Sequence, residues 1–299
     1  MKILVAGGSG FIGRNLIDSF HEKWDVENAS LRGKISEQQY KNAEVFINLV
    51  GKAHDFKGTA TEEEYFFVNN QLAQDLFALF LKSEASLFIH ISSLAAVEEF
   101  GSDSEIDEEA DCNPISIYGR SKRAAEVFLN NQQLPEGKRV VILRPTMVHG
   151  AGDKGNLTLL YKLVKKGIPY PLSKFDNKRS FLSIDNFNFV LHHIIEKRQL
   201  ITTGTFNVCD DQPVSTNEVI SIIGEVLGKR IRRFAIPKNL IYVLASIGDR
   251  ISLPLNSKRL KKMTSDLVVS NQKIKSALGV TSLPVTAKEG LRKTFISFK

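Results

Sequence analysis

Short apolar runs alternate with stretches of helical periodicity along the first half of the chain. Ile3-Leu4-Val5-Ala6 stops at a glycine-rich turn, Gly7-Gly8-Ser9-Gly10-Phe11-Ile12-Gly13, after which Ile12, Leu16, Ile17 and Phe20 fall on one helical face. Further strand-like runs stand at 24–29, 45–50, Leu87–Ile91 and 140–143, and helical sequence such as Leu72–Leu81 and 121–129 separates them. Strand followed by helix, repeated, predicts an α/β fold: a Rossmann-type doubly wound parallel sheet with covering helices.

After Gly150 the texture changes. Glycine, proline and basic residues break the pattern through Pro171, and helices dominate from Asn217 onward. The stretches 181–184 and 205–208 read as short strands that extend the main sheet. The expected organisation is a dinucleotide-binding domain over 1–150, to which 180–208 returns, and a smaller mixed substrate lobe from 151–179 and 209–299.

Composition narrows the class. With 42% hydrophobic and 24% charged residues and only 9 prolines in 299, collagen-like and largely disordered chains are excluded. Cys112 and Cys209 supply neither a disulfide framework nor metal-ligand spacing, so reduced thiols and no metal are expected. The run after Lys2 enters the glycine turn directly, unlike a signal peptide, and the apolar stretch 240–247 is far shorter than the ~20 residues of a membrane span. A cytoplasmic protein without stable membrane insertion is the expectation. Core packing is expected for the helix over 240–255; a membrane-surface role, with its basic flanks, is the alternative. The net charge of +7 is concentrated in 229–233 and 258–262, but no nucleic-acid fold signature accompanies it, so nucleic acid is not expected as a partner.

The glycine spacing carries chemistry. Between a strand and a helix, Gly7 permits the tight turn, Gly10 lets the backbone approach a pyrophosphate, and Gly13 allows close helix packing with the helix N-terminus facing the anion. Gly7, Gly10, Phe11, Ile12 and Gly13 are therefore assigned to a dinucleotide. At the expected end of the second strand stand Ser30-Leu31-Arg32, a hydroxyl and a guanidinium suited to the 2′-phosphate of NADP. In the alternative, the strand ends early and Asp25 or Glu27 holds the ribose of NAD.

Tyr118-Gly119-Arg120-Ser121-Lys122 puts a phenol and an ammonium at i and i+4 on one helix face. A nearby Lys charge favours the phenolate and fits the pair for acid/base work. Ser92 or Ser93, at the end of the strand Leu87–Ile91, adds a hydroxyl at the carboxyl edge of a parallel sheet, where ligands bind.

These residues resemble the extended short-chain dehydrogenase/reductases, also called the NAD-dependent epimerase/dehydratase family. The resemblance also covers Arg144-Pro145, Phe206-Asn207-Val208 and the late Leu278-Gly279 and Glu289-Gly290-Leu291 pattern. It implies that Ser93 is the catalytic hydroxyl beside Tyr118 and Lys122, and that Asn69 lies on the nicotinamide side. His149 stands where many members carry a tyrosine. Gly152 to Asn156 and Asp176 to Ser180 look like the nucleotide-sugar members, which implies that Asn156 touches the sugar substrate and Arg179 its pyrophosphate. The tail from Ser265 to Lys273 resembles UDP-N-acetylhexosamine 4-epimerases and 4-keto-sugar reductases of surface-polysaccharide synthesis. Leu94-Ala95 replace the Asp-Glu of the 4,6-dehydratases, which argues against that chemistry. Only 12 residues separate Arg32 from Val45, so a sheet one strand shorter is expected.

The leading expectation is a reductase of a UDP-4-keto-hexose or hexosamine, acting at C4 with NADP. A UDP-hexose or UDP-N-acetylhexosamine 4-epimerase with bound NAD is the alternative, and a catalytically silent NADP-binding scaffold a distant one. A homodimer is compatible with each. The acidic stretch 98–111 is read as a solvated loop that could shield the pocket, and His192-His193 as structural.

Overall fold

The apolar runs become β1 (Lys2–Ala6), β2 (Asp25–Ala29), β3 (Val45–Asn48), β4 (Leu87–Ile91) and β5 (Arg139–Pro145), followed by β6 (Met147–His149), β7 (Phe181–Ser183) and β8 (Gly204–Val208). The helices are α1 (Phe11–Phe20), α2 (Glu37–Lys41), α3 (Glu62–Phe66), α4 (Leu72–Leu81), α5 (Ile117–Asn130), α6 (Asn156–Lys165), α7 (Ile184–Glu196), α8 (Thr216–Leu227), α9 (Lys238–Ile251), α10 (Ser257–Thr264), α11 (Gln272–Leu278) and α12 (Ala287–Ile296). The structure, a computed structural model, describes residues 1–31, 36–53, 59–251 and 256–299.

Six strands form one parallel sheet in the order β2-β1-β3-β4-β5-β8. The chain runs outward from β1 to β2 and then returns to the other side of β1, so the strand order reverses between β1 and β3. That switch opens a crevice at the carboxyl ends of the strands. Both faces of the sheet are covered, which is why the strands read as continuous apolar runs. Ile3, Ile47 and Ile89 pack towards α1 and α7, against Leu16, Phe187 and Val190. Leu4, Phe46 and Phe88 face α4, where Phe77 and Phe80 meet the two strand rings at separations of 5.4–5.8 Å. Each side chain buried this way contributes roughly 1.5–3 kcal/mol. β2 is the outer strand, in line with the short spacing to Val45.

The second core lies between α6, α8 and α12, built on Leu157, Tyr161, Val219, Ile223, Leu291 and Phe295. α11 instead lends Ile274 and Leu278 to the core of the main sheet.

Three expectations change. β8 joins the sheet, but β7 pairs with β6 in a separate two-stranded sheet, because β8 already occupies the free edge of β5. The acidic stretch is solvated only in part: Asp103, Glu105, Asp107, Glu109 and Asp111 are exposed, while Glu98 and Glu99 line the crevice. Glu98 accepts from the backbone N–H of Glu99 and Phe100, Glu108 accepts from Asn207 N–H, and Ile106 is buried and bridges to Val269. Its carboxylates satisfy backbone donors that would otherwise be orphaned. Finally, α9 is only half packed. Ile241, Ala245 and Gly248 are buried, whereas Leu240, Tyr242, Val243, Leu244 and Ile247 are exposed, because the second core backs only one stripe of the helix. Among the described residues no helix is long and apolar enough to cross a membrane. Cys112 and Cys209 are free thiols.

Candidate active site

The carboxyl ends of β1, β3 and β4 meet in a cleft of about 1290 Å³. Gly7, at φ 89°, turns the chain between β1 and α1. A Cβ on Gly7 would stand 2.8 Å from the Leu49 carbonyl carbon, and one on Gly13 would stand 2.5 Å from the Gly7 oxygen and the Gly8 Cα. Only glycines let β1, the loop after β3 and α1 converge so closely. Asn28 on β2 fixes the turn by accepting from Gly8 N–H at 3.1 Å. Gly10 caps α1 with no side-chain acceptor, so the N–H groups of the first helical turn are presented to the cleft. An anion-accepting helix end behind a Cβ-free loop fits a dinucleotide pyrophosphate.

The ribose end is sharper than the sequence suggested. Asp25 opens β2 at the edge opposite the cleft, opposite Lys2 in register, and Glu27 in mid-strand is paired with Lys2 Nζ at 2.7 Å. Neither carboxylate stands at the strand's carboxyl end, where Ala29 is followed by the exposed Ser30. Ser30 is not among the described lining residues of the cleft, and Arg32 lies outside the described residues.

Ser92 and Ser93 separate clearly. Ser92 is buried and donates to Glu126 Oε1 at 2.6 Å, and Glu126 also accepts from Arg144 Nε at 2.9 Å and Nη2 at 2.8 Å. Ser93 caps the 3₁₀ turn Leu94–Ala96, lines the cleft and faces the Tyr118 phenol, whose proton affinity it lowers. A Cβ on Gly119 would stand 2.3 Å from the Ala95 oxygen, so this glycine lets α5 approach the turn that carries Ser93. Burial pushes the Tyr118 phenol up from its ordinary value, Ser93 opposes this, and the Glu99 carboxylate reinforces it. The phenol therefore rests in its acid form.

Lys122, one turn further along α5, is buried and donates to the Ile91 carbonyl at 2.6 Å. Burial lowers its ammonium to about 8, with Glu126 opposing. A desolvated ammonium held at the edge of the cleft suits a partner that offers hydroxyls or negative charge.

Asn69 lies behind the loop that follows β3. It sits in a π-helical turn, Phe67–Gln71, is fully buried, and is not among the described residues lining the cleft. Its Oδ1 accepts from Lys52 N–H at 2.7 Å, and its Nδ2 donates to Lys52 O at 3.1 Å and Ser121 Oγ at 2.8 Å. It ties the loop after β3 to α5 from behind. Tyr65, which sequence reasoning missed, lines the cleft. The π turn that follows α3 had no signal in apolar spacing that could have revealed it.

Asn156, at the start of α6, and Arg179 line the other half of the cleft, joined by Asn256. Arg179 donates to Ser265 O at 3.1 Å; burial lowers its guanidinium from the ordinary value and Asp266 opposes this. His149 is buried behind the cleft, bonded through Nδ1 to Thr294 Oγ1 at 2.8 Å, and burial lowers it to about 4. Among the described residues, His192, His193 and Glu196 are the one group with metal-like spacing; they lie on α7 away from the cleft, and Glu196 is paired with Lys23.

Residues 3–209 match the NAD dependent epimerase/dehydratase family. A UDP-glucose 4-epimerase of Vibrio cholerae is 29% identical over 99% of this chain and 95% of its own length. An N-acetyl-alpha-D-glucosaminyl-diphospho-ditrans,octacis-undecaprenol 4-epimerase of Escherichia coli O157:H7 is 24% identical over 98% of this chain and 94% of its own. The solved UDP-glucuronic acid 4-epimerase of Bacillus cereus, in complex with UDP-glucuronic acid and NAD, superposes with a TM-score of 0.77 at 18% identity, over 100% of this chain and 99% of that one.

Proposed function

The chain belongs to the NAD dependent epimerase/dehydratase family, and from that membership we propose that it is a 4-epimerase of a UDP-sugar. The observation that carries this reading is the convergence of Ser93, Tyr118 and Lys122 in the same cleft as the glycine turn. A nicotinamide ring bound there supplies the acceptor and donor of hydride. Tyr118 moves the proton of the C4 hydroxyl, Ser93 orients that oxygen, and Lys122 holds the nearby hydroxyls. Leu94 is buried and Ala95 apolar, so the acid/base pair of a dehydratase has no counterpart here. Two relatives that align over nearly the whole of this chain are named as 4-epimerases.

The second reading is a UDP-4-keto-sugar reductase with exchangeable NADPH. The sequence after β2 favours it: among the described residues no carboxylate stands at the end of that strand for a free ribose, and the hydroxyl and guanidinium of Ser30-Leu31-Arg32 suit a 2′-phosphate. Denaturing the purified protein and identifying the released nucleotide distinguishes the two. Stoichiometric NAD is expected from the epimerase; an empty site that takes up NADPH in preference to NADH overturns that reading in favour of the reductase.

Both readings place a diphosphate against Arg179. Arg179→Ala is therefore expected to raise KM for the UDP-sugar about 10- to 150-fold, the equivalent of a charge-assisted hydrogen bond worth roughly 1.5–3 kcal/mol, with a much smaller change in kcat. Steady-state kinetics at one ionic strength check this; an unchanged KM moves the diphosphate elsewhere.

A further inference from the structure

The outer stripe of α9 has no role in the chemistry of the cleft. Leu240, Val243, Leu244 and Ile247 recur at i, i+3, i+4 and i+7 and remain 42–54% exposed, whereas Ile241, Ala245 and Gly248 form the adjacent buried stripe. A solvent-facing apolar stripe of this length on one helix marks a docking surface. Its surroundings are strongly charged. Residues 229–262 hold ten lysines and arginines and one acidic residue, Asp249, so this segment carries +9 in a chain whose total is +7. The rest of the protein is therefore net acidic. Asp249 is engaged by Ser257, which donates from its backbone N–H at 2.9 Å and its hydroxyl at 2.6 Å.

The basic residues lie on both sides of the helix in sequence: Lys229, Arg230, Arg232 and Arg233 before it, Lys258, Arg259, Lys261 and Lys262 after it. We propose that α9 is a peripheral docking helix for an anionic bilayer, its outer stripe entering the headgroup boundary while the exposed Arg230 and Arg232 that precede it meet the lipid phosphates. An amphipathic helix with an apolar face and basic flanks lies in the interfacial plane at a depth of about 5–10 Å, without crossing the bilayer. Charge selects this occupant over a second copy of the chain, since a twofold contact on α9 would bring two +9 segments together. Asn256, five positions after the end of α9, lines the cleft, so docking brings the substrate lobe and its opening to the membrane surface.

The test is co-sedimentation of the full chain with vesicles of phosphatidylcholine alone and of phosphatidylcholine with phosphatidylglycerol. Binding to the anionic vesicles is expected, weakening as salt rises. Arg230→Ala and Arg232→Ala should each lower the partition coefficient about fivefold. Val243→Glu with Leu244→Glu should abolish binding while turnover of a soluble UDP-sugar and the melting temperature stay as in the parent. Leu240→Glu with Ile247→Glu, on the same stripe, carries the same expectation. Equal sedimentation with both kinds of vesicle, or undiminished binding by the glutamate variants, overturns the proposal. A dimer by light scattering that these variants convert to monomer also overturns it, because a second copy would then cover the stripe.

Discussion

Tyr118→Phe is expected to lower turnover by about 10²- to 10⁴-fold, the usual worth of a positioned acid/base, while UDP-sugar and dinucleotide affinities stay close to those of the parent. The change deletes one oxygen of a residue that lines the cleft beside Ser93. Ser93 keeps its other contact, accepting from Ala95 N–H at 3.2 Å, so the 3₁₀ turn is held and the hydroxyl stays in place. Lys122 is anchored on the Ile91 carbonyl rather than on the phenol, so its position is also retained. A folded, ligand-competent protein without proton transfer should result. Equilibrium titration of both ligands beside single-turnover rates makes the check: turnover near that of the parent would remove Tyr118 from the reaction, and a parallel loss of affinity would make it a packing residue.

How far this site could be read without coordinates follows from what each feature depends on. β4 is legible to the residue because a buried run ended by Ser92-Ser93 is a local pattern, and the helical character of 72–81 is local too, whereas the start of that helical segment at Glu62 is not. The glycine turn and the Tyr118–Lys122 spacing are also local, since both lie within one turn or one helix. The choice between Ser92 and Ser93 is not. It depends on Glu126 and Arg144, from α5 and β5, closing a buried network around Ser92. Asn69 likewise needed the loop after β3 and Ser121 in space before its amide could be seen to be fully occupied. The stripe on α9 shows the converse. Periodicity identifies an apolar helix, but whether a neighbour covers both stripes is a property of the tertiary packing, and here it covers one.

Gly13→Ala is expected to remove dinucleotide binding before it unfolds the protein. Its Cβ would sit 2.5 Å from the Gly7 oxygen and the Gly8 Cα, and 2.7 Å from the Gly8 carbonyl carbon. These are backbone atoms of a turn already closed by the Gly10 N–H to Gly7 O bond at 3.2 Å and by Asn28 on Gly8, so no rotamer change relieves the clash. α1 must move away from the turn, and its N-terminal N–H groups move with it, out of line with the pyrophosphate. Overpacking of this kind costs about 1–3 kcal/mol. Taken from stability, that lowers the melting temperature; taken from the bound state, it weakens the dinucleotide about 5- to 150-fold. The sheet behind the turn stays buried on both faces, so far-ultraviolet circular dichroism should keep its native form. Fluorescence titration with NADH and NADPH beside thermal melts separates the terms. Unaltered affinity with a lowered melting temperature would mean that the turn serves only as a structural bend and that the dinucleotide is held elsewhere.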